Sequence, residues 1–448
     1  MAYIAPFRAL RYDPLRVSLA QVVTQPYDKI TSEMQERYYA ASTHNLVRII
    51  LGKREPCREQ DNVYTRAAGF FQEWRREGIF VQDARPSMYP YSQRFIAPGG
   101  QFEYERRGFI ALGRLEDYSA GVVFRHEQTL AKPKADRLDL LRATRAHFGQ
   151  LFMLYSDTGE IDNLLAGDAS PDIDIKDEYG VVHRVWKISD PALIELVRSK
   201  MRDKKLIIAD GHHRYETALN YRNERRAAAG TGPRVPRECS VTNAMLDPEQ
   251  AEPAPYELVM MTFVNMNNEG LLILPTHRVV HGLDSFSLEE FLAGSRKYFK
   301  VEEVDSAVDT AGATHVLREA GRAGTALLAS SARHAFLLHT PRASESLFAG
   351  LSLRQRALDV VQLHKVVLET VLGLSEESIR NQENISYLRD AGEALHRVRR
   401  GGANLAFLMN PVRMEQVRDV AFAGEVLPQK STDFYPKLLT GLTIYALD

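Results

Sequence analysis

The chain has 448 residues, of which 44% are hydrophobic and 26% charged, and its 57 Lys and Arg against 58 Asp and Glu leave a formal net charge of −1 at pH 7. This length suggests roughly two or three soluble globular domains, and the balanced charge argues against a protein that mainly coats nucleic acid. The 2 cysteines lie far apart in the sequence and do not indicate a disulfide framework. The sequence has no apolar stretch long enough to span a membrane and no signal-peptide core, so we expect a cytoplasmic protein without membrane contacts.

The first part of the chain is predicted to alternate short strands with helices, from apolar residues spaced by two or by 3.6 positions. Between residues 60 and 78, for example, Ala67, Phe71 and Trp74 fall on one helical face. In chain order the pattern predicts a helix over Glu33–Ala41, a strand over Asn45–Leu51, a helix over 60–78, strands over Tyr89–Ile96 and Arg107–Leu112, a helix over Asp136–Phe148, a charged turn over Asp172–Tyr179 and a strand over Val181–Ile188.

Farther along, an apolar strand over Lys205–Ala209 is followed at once by a helical pattern. The Gly- and Pro-rich stretch between residues 225 and 255 predicts loops or a boundary, with one short element near Ser240–Met245. Later strands are predicted over Glu257–Val264 and Leu271–Leu274, before a mixture of helices and short strands over 285–420. The fold class is therefore mixed α/β (α+β), with one domain expected over residues 1–250 and another over 251–448.

The segment between the strand and the helix near residue 210 carries the strongest chemical signal. Asp210 ends the strand, and a carboxylate there can hold Mg²⁺ or accept a proton. Gly211 permits close approach of a ligand to the backbone, while His212, His213 and Arg214 can bind anionic oxygens at the positive end of a helix. An acid in this position can also be a simple helix N-cap, and first-turn bases can simply face water.

Four other segments interrupt the apolar pattern with reactive side chains. Each of these segments can also be interpreted without a functional role, as a turn, a solvated loop or a surface tail. They are Thr24–Asp28, which ends in Asp28; Arg125–Thr129, with His126, Glu127 and Thr129, followed by Lys134, Asp136 and Arg137; Leu274–Arg278, with Thr276, His277 and Arg278; and Pro428–Lys437, with Lys430, Ser431, Thr432, Tyr435 and Lys437. Bases, hydroxyls and a few carboxylates at strand ends are what a phosphate site with a metal ion needs.

Several common enzyme motifs are missing from the sequence. The segment after His126 lacks the second histidine of a zinc-protease helix, and the loop at Lys430 is not preceded by a Walker glycine pattern. Neither a G-x-S-x-G elbow nor an early G-x-G-x-x-G occurs. A serine hydrolase and a dinucleotide-dependent enzyme are therefore not supported.

These motifs together resemble the domain of unknown function 1015 (DUF1015) family over nearly the whole chain. The resemblance rests on Pro6–Arg8, Pro26–Asp28, His126–Thr129, Lys134–Arg137, Ile208–Ala218, Leu274–Arg278, Pro428–Thr432 and Phe434–Lys437. The chain departs from the family pattern at Gln25, Leu427 and Asp433, which puts local loop shape in doubt more than chemistry.

A second resemblance covers only about a dozen residues, Asp210–Arg214 and their neighbours, and supplies an activity. This segment is similar to the nucleotide-binding box of the ParB/sulfiredoxin superfamily, which includes free-serine kinases. The resemblance implies a ParB/sulfiredoxin-like core and a nucleotide- and Mg²⁺-dependent phosphotransferase that uses ATP or ADP and acts on a small hydroxyl substrate, with free L-serine as one candidate.

On this reading the predicted site residues fall into three sets. The catalytic set is Asp210, Glu127, Asp28 and His126, with Asp210 and Glu127 as candidate Mg²⁺ ligands. The nucleotide-phosphate set is Gly211, His212, His213, Arg214, Arg137 and Thr129. The substrate set is Thr276, His277, Arg278, Lys430, Ser431, Thr432, Tyr435 and Lys437, which the second domain would contribute to a shared cleft.

Two other functions use the same residues. A metal-dependent phosphohydrolase or nuclease would replace the acceptor by water and needs the same carboxylates, arginines and divalent cation. A ParB-like nucleotide switch without catalysis would need a DNA-binding helix pair and a basic surface, and the sequence shows neither convincingly. The partners expected are therefore a nucleotide and a small molecule, and not a nucleic acid or a membrane.

Overall fold

The computed structural model describes residues 1–54, 61–127, 132–167, 169–230, 253–305 and 309–448. Its strands are β1 (Ile4–Ala5), β2 (Leu10–Tyr12), β3 (Phe80–Gln82), β4 (Tyr89–Ile96), β5 (Glu103–Arg114), β6 (Val123–Phe124), β7 (Ala146–His147), β8 (Leu151–Tyr155), β9 (Ile173–Lys176), β10 (Val182–Val185), β11 (Leu206–Asp210), β12 (Leu258–Asn265), β13 (Leu272–Leu274), β14 (His277–Val280), β15 (Lys300–Val304), β16 (Ala326–Ser330), β17 (Ala335–His339), β18 (Ile385–Leu388), β19 (Leu405–Met409), β20 (Asp433–Tyr435) and β21 (Tyr445–Ala446).

The helices are α1 (Leu19–Val22), α2 (Ser32–Ala41), α3 (Val47–Ile50), α4 (Val63–Arg76), α5 (Lys132–Thr144), α6 (Glu160–Leu165), α7 (Pro191–Met201), α8 (His212–Ala228), α9 (Leu288–Arg296), α10 (Thr310–Gly321), α11 (Leu353–Arg356), α12 (Asp359–Gln362), α13 (Glu376–Asn381), α14 (Ala391–Arg399) and α15 (Met414–Phe422). Short 3₁₀ turns and a π-helix over Leu363–Val371 complete the chain. Within the described ranges, no helix combines the length and apolar character that a membrane crossing requires.

The chain forms two compact units that are interleaved in sequence. Unit 1 comprises the described residues of Met1–Arg125, Thr129–Leu271 and Pro436–Asp448, and unit 2 comprises those of His126–Gln128 and Leu272–Tyr435. The sequence led us to expect a division near residue 250 instead. Strand β12 joins the sheet of unit 1, and the last residues of the chain return to that unit, because their apolar side chains are buried there.

Unit 1 is built on one large mixed sheet, in which nine strands can be described. Their order is β6–β11–β8–β12–β5–β4–β10–β9, and β1 pairs with β5. Strand β8 pairs parallel with β12 and antiparallel with β11, and all five of its residues are buried. A strand covered on both faces reads as a continuous apolar run, and this is the sequence pattern of Leu151–Tyr155.

Unit 2 contains a second sheet, with the order β15–β17–β16–β19–β14–β18 among its described strands. One face packs against α10 and α14 through a core that includes Leu317, Leu328 and Leu408. A separate two-stranded pair, β13 and β20, joins the beginning and the end of the unit. The predicted mixed α/β class is therefore confirmed in both units.

Several predicted elements are wrong in type or extent. Asn45–Leu51 contains the helix α3 and not a strand, because a short apolar run fits either structure. The predicted turn Asp172–Tyr179 contains β9, whose Ile173 is buried while Asp174 is exposed, as a half-buried strand requires. Helix α5 begins before Asp136 and ends at Thr144. The element expected near Ser240–Met245 lies outside the described residues.

Candidate functional site

The turn between β11 and α8 places Asp210 and Gly211 at the beginning of a long helix. The pairing of β11 with β8 shifts register between Ile208 and Asp210, and such irregularities re-aim side chains at a strand end. Gly211 has φ +96°, and a Cβ atom added there would lie 2.9 Å from Leu151 Cδ2. Both the backbone conformation and the space therefore require glycine.

Asp210 is surrounded by cations within unit 1. Its Oδ2 lies 3.7 Å from Arg214 Nη2 and 3.9 Å from Lys437 Nζ, while its Oδ1 accepts a hydrogen bond of 3.0 Å from the Gly211 amide. Burial opposes ionisation, but the charge of Lys437, followed by those of Arg214, Lys29 and His212, lowers the pKa of this carboxyl far below its usual value. Asp210 is consequently an anion at neutral pH.

Lys437 is held in place by groups on the neighbouring strands of the sheet. Its carbonyl accepts a hydrogen bond of 2.9 Å from Gln93 Nε2, and the carbonyl of Pro436 accepts one of 2.5 Å from the buried Arg106. Burial lowers the pKa of Arg106 to about 10, so this guanidinium is still charged at neutral pH. Arg106 and Gln93 are positioning residues that the sequence did not single out, because they stand among other polar residues of β4 and β5.

Arg214 lies over the backbone before β8. Its Nη1 donates to the carbonyl of Gln150 at 2.5 Å, and a Cβ atom at Gly149 would come within 3.2 Å of the same nitrogen. Gln150 is buried, and its Nε2 has no partner among the residues that the structure describes. Arg214 itself lines the cleft described next.

A mostly apolar cleft opens beside the first turn of α8. Its empty volume is about 630 Å³, including space open to solvent. The lining comprises Pro26, Tyr27, Ile50, Arg137, Leu140, Leu141, Ala146, His147, Phe148, Gly149, Leu151, Arg214, Thr217, Val259 and Thr440. An apolar wall with two arginines suits a ligand that has a flat apolar part and an anionic part.

Arg137 and the Pro26–Asp28 segment approach this cleft from α5 and from the N-terminal part of unit 1. The Arg137 guanidinium stacks 4.2 Å from the centre of the Tyr27 ring and pairs with Asp136 at 2.5 Å. Burial raises the pKa of Tyr27, as does the charge of Asp28. The charges of Arg214, Arg137 and Asp210 also act on this hydroxyl, so the structure brings these predicted residues together.

In unit 2, the residues His126 and Glu127 hold the loop that contains Lys430. His126 Nε2 lies 2.7 Å from Thr432 Oγ1, and Glu127 Oε1 accepts a hydrogen bond of 3.0 Å from the Lys430 amide. Ser431 Oγ donates to the carbonyl of Pro428 at 2.5 Å. The Ser431 bond lies within the loop, and the other two contacts fasten the loop to His126 and Glu127. This arrangement favours a structural role for His126 and Glu127.

Arg278 and His277 are both buried at the start of β14. Arg278 Nη2 donates to the Lys430 carbonyl at 3.1 Å, and its guanidinium lies 5.3 Å from the centre of the Tyr387 ring. His277 Nδ1 accepts a hydrogen bond of 3.2 Å from the Met409 amide. Burial, followed by the Arg278 charge, lowers the pKa of His277 to about 4.

The neutral His277 should make stability depend on pH. Its folded pKa lies below the unfolded value of about 6.5, so its contribution is complete above pH 6.5 and is lost as the pH falls towards 4, by up to about 3 kcal/mol. Urea unfolding across this range should show a smaller loss in His277→Gln, whose amide oxygen can still accept from Met409, than in the wild type. The exposed His315→Gln is the matched control, and a pH profile of His277→Gln that equals the control would contradict the assignment.

The predicted residues thus divide between the two units. Asp28, Arg137, Asp210, Gly211, His212, His213, Arg214 and Lys437 belong to unit 1, and His126, Glu127, Thr276, His277, Arg278, Lys430, Ser431, Thr432 and Tyr435 belong to unit 2. Thr129 lies outside the described residues. Lys29, which acts on Asp210, was missed although it directly follows Asp28. Among the side chains described, no three His, Cys, Asp or Glu residues are grouped as a metal site would need.

Two of the departures from the family pattern have partners in the structure. Gln25 Nε2 donates to Asp177 Oδ2 at 3.1 Å, and Asp433 pairs with Arg389 at 2.6 Å. The polar side chains at these positions therefore have specific partners. The Gln25 pair lies in unit 1 and the Asp433 pair lies in unit 2.

Comparison with known proteins identifies the family. The family model described as "Protein of unknown function (DUF1015)" matches residues 4–361, and the chain belongs to this family. No curated protein matches the sequence. Similar solved structures include a conserved hypothetical protein from Pyrococcus furiosus, at 12% identity and a TM-score of 0.34, covering 72% of this chain and 92% of that one.

Two further solved structures are similar at the same level. A free serine kinase in complex with AMP has 13% identity and a TM-score of 0.35, and the match covers 72% of this chain and 89% of that one. SbnI with a C-terminal truncation, from Staphylococcus aureus, has 8% identity and a TM-score of 0.33, and the match covers 75% and 87%.

Proposed function

We propose that the protein is a nucleotide- and Mg²⁺-dependent phosphotransferase that acts on a small hydroxyl substrate, with free L-serine as the first acceptor to test. One observation carries the proposal. An ionised carboxylate, Asp210, lies among cations at the N-terminus of α8, beside the cleft that Arg214 lines. Phosphoryl transfer depends mainly on positioning and on neutralising charge, and these residues supply both.

The nucleotide phosphates would bind at the beginning of α8. The amides of its first turn and the helix dipole favour negative charge there, and Gly211 provides the left-handed backbone conformation that begins the helix. Arg214 and Lys437 add fixed positive charge within 4 Å of Asp210. His212 and His213 belong to the same first turn.

Asp210 is better suited to bind a metal ion than to remove a proton. A general base works best with a pKa near the operating pH, whereas the pKa of Asp210 is held far lower. Mg²⁺ in nucleotide sites commonly uses one or two carboxylates and completes its shell with phosphate oxygens and water. Asp210 fits this donor set, Asp28 is the other predicted carboxylate of unit 1, and the ion would neutralise charge on the transferred group.

The cleft would hold the base and sugar of the nucleotide. Leu140, Phe148 and Val259 provide apolar surface for a flat ring, and Arg137 and Arg214 stand at the polar side of the same lining. This arrangement gives Arg137 the role of a second phosphate-binding arginine. The substrate roles predicted for the residues of unit 2 stay predictions, and among them Arg278 offers unused hydrogen-bonding capacity.

Phosphorus NMR tests the activity directly. Purified protein with Mg²⁺, ATP or ADP, and a mixture of free amino acids that includes serine should give a new phosphomonoester signal. Arg137→Ala should lower its rate of formation by about tenfold to 100-fold, since a charge-assisted contact contributes roughly 1.5–3 kcal/mol. The matched control is Arg142→Ala, an exposed arginine on the same helix that pairs with Asp139 and Glu224.

The products separate the alternatives. Release of orthophosphate without a phosphomonoester would replace the phosphotransferase by a phosphohydrolase. Nucleotide that binds but is never consumed, with every acceptor offered, would leave a nucleotide-binding switch. Equal rates in Arg137→Ala and Arg142→Ala would contradict the proposal that the cleft holds the nucleotide.

A further inference from the structure

A second pocket lies within unit 2, beside the π-helix Leu363–Val371. Its empty volume is about 850 Å³, including space open to solvent. The lining comprises Leu351, Gln355, Val361, His364, Lys365, Glu369, Glu376, Ile379, Arg380, Tyr387, Val426, Leu427, Pro428 and Gln429. The hydrogen bonds of this helix join residues five positions apart instead of four, as the bond from the Leu372 amide to the Val367 carbonyl shows. π-Helical turns are rare and are frequent at functional sites.

His364 is a lining residue of this pocket and has an unused ring nitrogen. The residue is 7% exposed, and its Nε2 has no hydrogen-bond partner among the residues that the structure describes. Burial, with the charges of Arg278 and Lys365, lowers the pKa of His364 to about 3, so the ring is neutral. A buried polar group without a partner costs roughly 1–3 kcal/mol, which is expected only where another molecule supplies the partner or where function retains it.

Arg278 adds a buried positive charge next to the same wall. It is 1% exposed, its Nε lacks a partner among the described residues, and the carboxylate that acts on its charge is that of Glu127. Its other nitrogens contact the carbonyls of Thr276 and Lys430 and the sulfur of Met409. It stacks on Tyr387, a lining residue, so its charge acts on the pocket.

The charged residues on the rest of the lining neutralise one another. Lys365 Nζ lies 2.9 Å from Glu369 and 3.9 Å from Glu376, and Arg380 lies 2.9 Å from Glu376. Two cations therefore face two carboxylates on the lining, and Arg278 beside it is opposed only by the more distant carboxylate of Glu127. Buried charges in proteins are normally paired closely, so Arg278 retains capacity for an anion.

We propose that this pocket binds a small anionic molecule through a carboxylate or phosphate group, which accepts a hydrogen bond from His364 Nε2–H in the field of Arg278. The site belongs to unit 2 alone and does not depend on the function proposed for unit 1. Glu369 and Glu376, also in the lining, would favour a ligand that carries hydrogen-bond donors besides its anionic group.

The test uses the full chain carrying Arg214→Ala, so that anion binding in unit 1 is weakened. Thermal unfolding and titration calorimetry with sodium succinate and, separately, with sodium phosphate distinguish a carboxylate from a phosphate ligand, and glycerol is the uncharged comparison. One of the two anions should bind saturably. His364→Leu should weaken that binding at least tenfold, yet leave the anion-free melting temperature equal or higher, because leucine removes an unpaired buried nitrogen.

Ser295→Ala is the matched control, since Ser295 is fully buried, its Oγ also lacks a partner, and it does not line the pocket. This variant should keep the wild-type affinity for the anion. The proposal is overturned if neither anion binds saturably at tens of millimolar, if His364→Leu binds as well as Ser295→Ala, or if His364→Leu alone unfolds at a clearly lower temperature, which would make the histidine a structural residue.

Discussion

Asp210→Asn should abolish Mg²⁺-dependent phosphoryl transfer and at the same time strengthen the binding of metal-free ADP. Asparagine keeps an oxygen that can accept from the Gly211 amide, so the turn is preserved, but it removes the negative charge that Arg214 and Lys437 now face. These cations are then available to the phosphates, and we expect the affinity for ADP without Mg²⁺ to rise about tenfold, or 1.4 kcal/mol.

Transfer should fall by about 100-fold or more in the same variant, because a ligand of the metal ion is lost. Calorimetry with and without Mg²⁺, together with the phosphorus NMR assay, measures both effects. Asp157→Asn is the matched control, since Asp157 also accepts backbone hydrogen bonds, from Thr158 and Ile161, and also lies near a lysine, Lys204. If Asp210→Asn weakened metal-free ADP binding, the carboxylate could not be competing with the phosphates for these cations.

Gly211→Ala should destabilise the protein more than any other single methyl group added to the turn region. The position has φ +96°, where an L-residue is strained by roughly 1–2 kcal/mol, and the new Cβ would lie 2.9 Å from the fully buried Leu151. We expect a total loss of about 2–4 kcal/mol in the free energy of unfolding. The same atom would come within 3.2 Å of the Arg214 guanidinium carbon, so nucleotide affinity should also fall.

Gly159→Ala separates strain from contact. Gly159 also precedes a helix in a left-handed conformation, with φ +93°, but a Cβ atom there meets nothing within 4 Å. Urea unfolding should therefore show the backbone strain alone in Gly159→Ala and the strain plus the steric contact in Gly211→Ala. Equal losses in the two variants would mean that Leu151 moves away without cost and that the turn has room for a side chain.

The strand-turn-helix at Asp210 could be predicted from the sequence because its signals are local and agree. The strand is an uninterrupted apolar run, the turn has a glycine, and Tyr215, Ala218 and Leu219 recur with helical spacing and are buried. The helix α3 could not be distinguished from a strand by its sequence. Three of its four residues are β-branched and apolar, and such a short apolar run is compatible with either structure. The conformation of that segment depends on its tertiary contacts, which its sequence does not show.

The grouping of the site residues depended on long-range contacts that leave no local pattern. Lys437 is more than 200 positions from Asp210, and nothing in its neighbourhood indicates that the chain returns to the first unit at Pro436. Arg106 and Gln93 were missed for the same reason, since a polar residue in a strand is usually taken as its exposed face. His364 could not be recognised because its significance lies in a missing partner, which only coordinates reveal.

The most direct test of the proposal for unit 1 is a calorimetric comparison of adenosine, AMP and ADP binding to the wild type, Arg214→Ala and Arg225→Ala. Arg225 is an exposed arginine on the same helix and is the control. If the phosphates bind at the beginning of α8, affinity should rise about tenfold with each added phosphate, and this increase should be lost in Arg214→Ala and kept in Arg225→Ala. Adenosine that binds as tightly as ADP, or an increase that survives in Arg214→Ala, would contradict a phosphate-binding role for the Asp210–Arg214 segment.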